Sequence, residues 1–513
     1  MPAAYEGTDI IILKIYLTDR NFYKSIAVFL FTCYNFTKYY KNGENEMQRE
    51  KFGSRLGFIL LSAGCAIGVG NVWKFPWMAG QYGGGIFVLI YLLFLAILGL
   101  PVMVMEFSLG RASQSRPVRL YQKLERPGQK WHLHGYAALA ANFLLMMFYT
   151  SVTGWILHYF VSFVSGDMTG ITNEQSEQLF GNMLSDPAIM VGFMAIVVVL
   201  GFLVLSFGLQ KGVERVTKYM MLALLALMVI LAINSFTLLG VKEGLSFYLT
   251  PDITKINGNV IVAAMNQAFF TLSLGIGSMA IFGSYIGKER SLLGESVNIL
   301  VLDTFVAITA GLIIFPACFT FDVEPGSGPS LLFVAMAKVF NNMDGGRIWG
   351  SLFFLFMFFA AMTTIVAVFE NILACVKELT GWGRVKTCVI CGVAVLVLSV
   401  PCALGFNLWS GFTPFTSSSS ILDLEDFLVS NCLLPLGALC YVLFCVSKKG
   451  WGFDNFIAEA NAGKGLKMPK ILRPYLTYVL PVIIAVLFVI GIVTFQFADG
   501  FTVWGWFTGL FAK

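Results

Sequence analysis

Ser62-Ala63-Gly64-Cys65-Ala66-Ile67-Gly68-Val69-Gly70-Asn71 lies inside an apolar stretch long enough to cross a bilayer. Each glycine in a helix interior costs about 1 kcal/mol relative to alanine, so this density predicts that the helix opens here. Backbone released from a helix within lipid must find partners other than water, so it persists where it lines a cavity or binds an ion. Thr271-Leu272-Ser273-Leu274-Gly275-Ile276-Gly277-Ser278 has the same character five spans later. Either segment alone is open to a second reading, close helix packing through small residues. Glycine-interrupted spans at matching positions in two halves are the sequence pointer to a transport site at the membrane midplane.

The rest of the chain supports a membrane setting. Of 513 residues, 57% are hydrophobic and only 12% charged, against about 25% charged in soluble domains. Gly84 to Met105, Ala188 to Phe207 and Val389 to Leu404 run without a charge over about the length that spans a bilayer. Eleven spans are predicted, at 55–79, 84–109, 134–164, 187–207, 213–239, 258–286, 293–321, 347–377, 386–406, 424–446 and 474–496.

Arg111, Arg116, Arg119, Lys123, Arg126 and Lys130 lie between the second and third spans, whereas the next loop carries Asp167, Glu174, Glu177 and Asp186 without Lys or Arg. The positive-inside rule predicts a cytoplasmic first loop and N-terminus and an external C-terminus, in the inner (plasma) membrane. The net charge of +5 belongs to these loops, so nucleic acid is not implied as a partner; lipid is. Residues 1–46 hold no stretch long enough to span, and Met47 reads as a more natural start. That leader is either a start-site artefact or an amphipathic surface helix. Cys388 and Cys391 form a CxxC inside an apolar run, without the further ligands a metal site needs. His132 and His134 read as solvated loop residues. No nucleophile, base and orienting group come together in the pattern, so an enzyme is not expected.

Arg49-Glu50-Lys51-Phe52-Gly53-Ser54-Arg55-Leu56-Gly57-Phe58, Gly70-Asn71-Val72-Trp73-Lys74-Phe75-Pro76, Gly83-Gly84-Gly85, Phe269-Phe270-Thr271-Leu272-Ser273 and Ala360-Ala361-Met362-Thr363-Thr364 resemble the neurotransmitter:sodium symporter family, in its bacterial amino-acid transporter branch. The resemblance implies an all-α polytopic protein with the LeuT-like fold: two inverted five-helix repeats with broken first and sixth helices. It places the first repeat at 47–240, the second at 241–447, and an eleventh span with its tail at 448–513.

By the same resemblance, two sodium ions are expected. One site would use Ala66, Asn71, Thr271 and Asp303; the second Gly64, Ile67, Ala360, Thr363 and Thr364. Oxygen ligands suit a hard cation, although the two threonine hydroxyls read on their own as bonds back to their helix. The substrate would sit among Ala66, Gly68, Gly70, Leu145, Tyr149, Phe270, Thr271, Ser273, Ile276 and Val368; of these, the apolar ones read on their own as core. Lys74 with Asp426 resembles an outer gate and Arg49 with Glu378 an inner one, supported by Tyr285 and Ser284. Glu106 is expected to bind unwound backbone or to lie at the interface near Arg111. Lys74 stands where the family usually has Arg, losing bidentate geometry.

What the resemblance implies about activity is sodium-coupled, chloride-independent uptake of a neutral, hydrophobic or aromatic L-amino acid by alternating access. Monoamine transporters of this family carry an aspartate where Gly68 stands, to meet an amine that lacks its own carboxylate. A channel or sensor is the alternative from another class. The oligomeric state does not follow.

Overall fold

The computed structural model describes residues 55–168, 171, 173–322, 331–417, 419–493 and 495. The first span is two helices, α1 (Arg55–Ala66) and α2 (Gly70–Gln81), bent by 51°. There follow α3 (Gly85–Ser113), a short helix α4 (Pro117–Leu124), α5 (His132–Ser165), α6 (Asn173–Ser185), α7 (Pro187–Ser206), α8 (Leu209–Ser235) and α9 (Val241–Leu249). The sixth span is likewise two pieces, α10 (Gly258–Thr271) and α11 (Ser278–Gly283). Then come α12 (Leu292–Thr320), α13 (Leu332–Asn341), α14 (Gly346–Thr380), α15 (Arg384–Leu404), α16 (Ile421–Val446), α17 (Phe453–Ala460) and α18 (Lys470–Val493).

Among the described residues nine helices are long and apolar enough to cross a bilayer, and the bent pair α1 and α2 makes a tenth. The sixth span escapes that test only because its break, residues 272–277, leaves two short pieces. With it counted, the arrangement is compatible with the eleven predicted spans.

Local chemistry sets the helix ends. The Asp186 side chain accepts from the Ala188 and Ile189 amides ahead of α7, with Pro187 at the first helical position, where its missing N–H costs nothing. Ser420 and Asp423 form a reciprocal capping box at the start of α16, which satisfies two otherwise orphaned donors. α5 and α14 end on Gly166 and Gly381 at φ +95° and +72°, the left-handed stop that glycine accepts without strain.

α5 and α14 pack along each other at the centre and are largely buried. α18 is mostly exposed, and Val199, Ile233, Val397 and Val482 are exposed on outer helices, as side chains facing lipid would be. The central pair is therefore the scaffold against which both broken spans lie.

Two expectations are corrected. The predicted loop before the third span contains α4, and His134 belongs to α5 rather than to a solvated loop; its Nδ1 is 2.8 Å from the Tyr121 hydroxyl. His132 Nδ1 lies 2.6 Å from Glu125 Oε1. A charge-rich stretch reads as loop, yet Val118, Leu120 and Tyr121 on one face of α4 are buried.

Candidate functional site

The first break frees the carbonyls that would have closed the next helical turn. Thr364 Oγ1 donates within reach of the Gly64 and Ile67 carbonyls, at 3.1 and 3.2 Å. Thr363 Oγ1 lies 2.9 Å from the Ala360 carbonyl and 3.3 Å from that of Ile67. Three carbonyls and two hydroxyls thus converge between α1 and α14, an oxygen-only donor set of the kind that suits a hard, weakly polarisable cation. The Thr363 bond to Ala360 is also a bond back to its own helix, but Thr364 bonds across to α1.

A second group of oxygens surrounds Asp303 on α12, which is fully buried. Its Oδ1 accepts from Asn71 Nδ2 at 2.8 Å and from Thr271 Oγ1 at 3.1 Å. Asn71 Oδ1 in turn accepts the Gly68 amide at 3.0 Å. One carboxylate therefore joins the first break, the sixth span and the seventh. A buried carboxylate is expensive in the membrane interior unless a partner or counter-charge offsets it.

Between the two breaks lies a cavity lined by Ala66, Gly68, Gly70, Leu145, Tyr149, Phe270, Ser273 and Ile276, together with Cys65, Thr364 and Leu434. The first eight are positions expected from the sequence; Cys65, Thr364 and Leu434 were not expected as walls. Two expected residues do not line it. Thr271 turns its hydroxyl to Asp303, and Val368, buried on α14, lies one helical turn beyond Thr364.

Polar groups gather at one end of this cavity. The Tyr149 hydroxyl accepts the Val69 amide at 2.8 Å and lies beside the Thr364 hydroxyl; as a phenol it can also donate. Ser273, held at φ +50°, donates to the Cys65 carbonyl at 3.1 Å. Leu145, Phe270, Ile276 and Leu434 supply apolar wall. Gly68 is required for space: a Cβ there would fall 2.3 Å from both Thr364 Oγ1 and the Tyr149 hydroxyl.

The sixth break is tied down differently. Glu106, fully buried, accepts the Gly275 amide at 2.6 Å, and Asn142 Nδ2 donates to the Ile276 carbonyl at 2.9 Å. These bonds replace helical ones that the break removes.

At one end of the cavity, Lys74 Nζ contacts both oxygens of Asp426, at 2.8 and 2.9 Å, and Ser430 Oγ at 3.1 Å. It also lies 4.2 Å from the centre of the Phe270 ring. At the end that carries the basic loops, Arg49 lies outside the described residues, and Glu378 Oε1 faces Arg116 Nη1 at 3.8 Å while Oε2 accepts the Arg116 amide at 3.1 Å. The Arg116 guanidinium covers the Tyr285 ring at 5.0 Å. The Tyr285 hydroxyl donates to Glu370 at 3.1 Å, and Arg384 pairs with the same carboxylate at 2.6 Å. Ser284, which caps the end of α11, donates its Oγ proton to the Ile281 carbonyl at 2.7 Å. Arg111, buried, pairs with Glu459 of α17 at 2.7 Å. Sequence reasoning missed Glu370 with Arg384 and Arg111 with Glu459; the one available signal was a carboxylate inside a predicted span.

The family model of the sodium:neurotransmitter symporter family matches residues 49–175 and 178–510. An uncharacterized sodium-dependent transporter of Bacillus subtilis, YhdH, is 35% identical over 455 residues, covering 88% of this chain and all of its own. One of Haemophilus influenzae is 31% identical over 458 residues, covering 87% and 98%. Among solved structures, that of MhsT in complex with L-phenylalanine is 35% identical with a TM-score of 0.80, covering 86% of this chain and all of that one. The arrangement of two broken spans around a central helix pair is the LeuT-like fold. The chain is a sodium-dependent symporter and belongs to the sodium:neurotransmitter symporter family.

Proposed function

We propose that this symporter carries a neutral, hydrophobic or aromatic L-amino acid into the cell with two sodium ions, by alternating access and without chloride. The observation that carries the reading is the cavity between the breaks, polar at Tyr149 and Ser273 and apolar at Leu145, Phe270, Ile276 and Leu434. That polarity fits a zwitterion with an apolar side chain. The L-phenylalanine bound to MhsT supports the same class.

In this reading the substrate carboxylate accepts a hydrogen bond from the Tyr149 hydroxyl, while the Val69 amide, donating to the phenol oxygen, keeps it in place. An amino acid brings its own negative charge, so Gly68 needs none. One sodium ion sits among Ala66, Asn71, Thr271 and Asp303, with the substrate carboxylate as a further ligand. The second sits among the Gly64, Ile67 and Ala360 carbonyls and the Thr363 and Thr364 hydroxyls. Lys74 with Asp426 closes the external side; Glu378, Tyr285 and Ser284 belong to the cytoplasmic closure, with Arg49. Glu106 holds the sixth break. The two halves, 47–240 and 241–447, are the inverted repeats, each contributing one broken span and one helix of the central pair, with the N-terminus in the cytoplasm.

Asp303 supplies the fixed charge that removes the need for an external anion. Its carboxylate ligates sodium and offsets that ion's charge, where either alone is costly within the membrane. Replacing chloride with gluconate during uptake tests this. The native rate is expected to hold, and Asp303→Asn to lose activity or acquire anion dependence. A native rate that collapses in gluconate, or an Asp303→Asn variant working normally without chloride, contradicts it.

A further inference from the structure

The cavity has a wall that the glycine-rich segments do not account for. Leu434 belongs to α16, the tenth span, and lines the cavity with Ile276 and Phe270. Its approach depends on two glycines. A Cβ on Gly275 would fall 2.2 Å from the Leu434 carbonyl, and one on Gly437 would fall 2.1 Å from the Gly275 carbonyl. The unwound part of the sixth span therefore lies backbone to backbone on α16, with no side chain between them.

α16 is itself irregular at this point. Its residues Leu428–Leu433 form a π-helical turn that ends immediately before Leu434, and Pro435 follows. A π turn holds an extra residue and so changes which side chain faces a given direction, and such turns recur at functional sites. Proline next to it lacks the N–H that a regular turn would need. Leu434 is almost fully buried and touches the cavity where the Gly275 contact brings α16 against the residue preceding Ile276.

We propose that Leu434 is a specificity-determining residue, which limits the length of the substrate side chain from the tenth span. This rests on the amino-acid reading above. The polar end of the cavity fixes the backbone of the substrate, so a longer side chain must extend among Phe270, Ile276 and Leu434. One methylene more or less in such a pocket changes discrimination by about 10- to 200-fold.

The test is sodium-driven uptake by the full chain in proteoliposomes, using labelled alanine, leucine, phenylalanine and tryptophan with the native protein, Leu434→Ala, Leu434→Phe and Leu434→Met. Leu434→Ala is expected to raise the ratio of tryptophan to alanine uptake efficiency about 10-fold, and Leu434→Phe to lower it by about as much. Leu434→Met, which roughly conserves volume, keeps the native ratios. Should Leu434→Phe fail to insert, Leu434→Ala decides alone. Ratios unchanged in Leu434→Ala, or a loss equal for all four amino acids, overturn the proposal. A native protein that takes up none of the four with sodium overturns the amino-acid reading itself and this inference with it, a result distinct from unchanged ratios.

Discussion

The first and sixth spans are both broken at glycines, and the two breaks are built on different physics. The first is short, bends the span by 51° and contains no residue with positive φ among those described. Its glycines provide room: Gly68 faces Thr364 and Tyr149, and Gly70 faces the Phe270 ring. The sixth covers residues 272–277 and turns through three left-handed residues, Ser273, Gly275 and Gly277. Its glycines provide a backbone shape as well as close approach. The satisfaction of freed backbone differs in the same sense. Hydroxyls of α14 and Ser273 meet the carbonyls of the first break, whereas the buried carboxylate of Glu106 meets an amide of the sixth. The first break thus gathers carbonyl and hydroxyl oxygens, and the sixth is anchored by a carboxylate.

The largest effect that would break this contrast is expected at Gly68. In Gly68→Ala the new methyl falls 2.3 Å from two oxygens on separate helices, and neither is the end of a long flexible chain, so uptake is expected to be abolished. Gly70→Ala meets only a ring edge at 2.9 Å and is expected to retain part of it. Parallel uptake measurements check the order; a Gly68→Ala variant as active as Gly70→Ala removes the steric account.

A smaller effect belongs to the anchor. Glu106→Ala leaves the Gly275 amide buried without its partner, a loss of about 1–3 kcal/mol, and is expected to lower thermal stability in detergent as well as uptake. Thr363→Ala and Thr364→Ala, at the first break, are expected to raise the sodium concentration for half-maximal uptake by about 10-fold, equivalent to about 1.4 kcal/mol, with a smaller loss of stability than Glu106→Ala, because an under-satisfied carbonyl is better tolerated than an orphaned N–H. If Glu106→Ala changed only the sodium requirement, or the threonine variants only stability, the division of labour between the breaks would be wrong.

Much of this was legible in the sequence because the signals are local. Charge-free runs mark the spans, and paired glycine clusters mark the breaks. What each glycine does was not legible. Gly68 reads as the place of a missing carboxylate, while its neighbours Thr364 and Tyr149 also make it a position where any side chain collides. Ser273 at φ +50° carries no sequence sign, since serine has no preference for that conformation. Leu434 escaped notice because its approach to the cavity depends on Gly437 meeting Gly275, a contact between distant parts of the chain. Arg111 and Glu459 are 348 residues apart, and pairing over such a separation is set by the fold.

Coupling of a sodium gradient to amino-acid uptake is tested by proteoliposomes loaded without sodium and diluted into sodium gluconate. Labelled phenylalanine or leucine supplied outside is expected to accumulate above its external concentration, not to do so when potassium replaces sodium, and to leave again when the gradient is collapsed by an ionophore. Equilibration that never exceeds the external concentration, or equal accumulation without sodium, would contradict it.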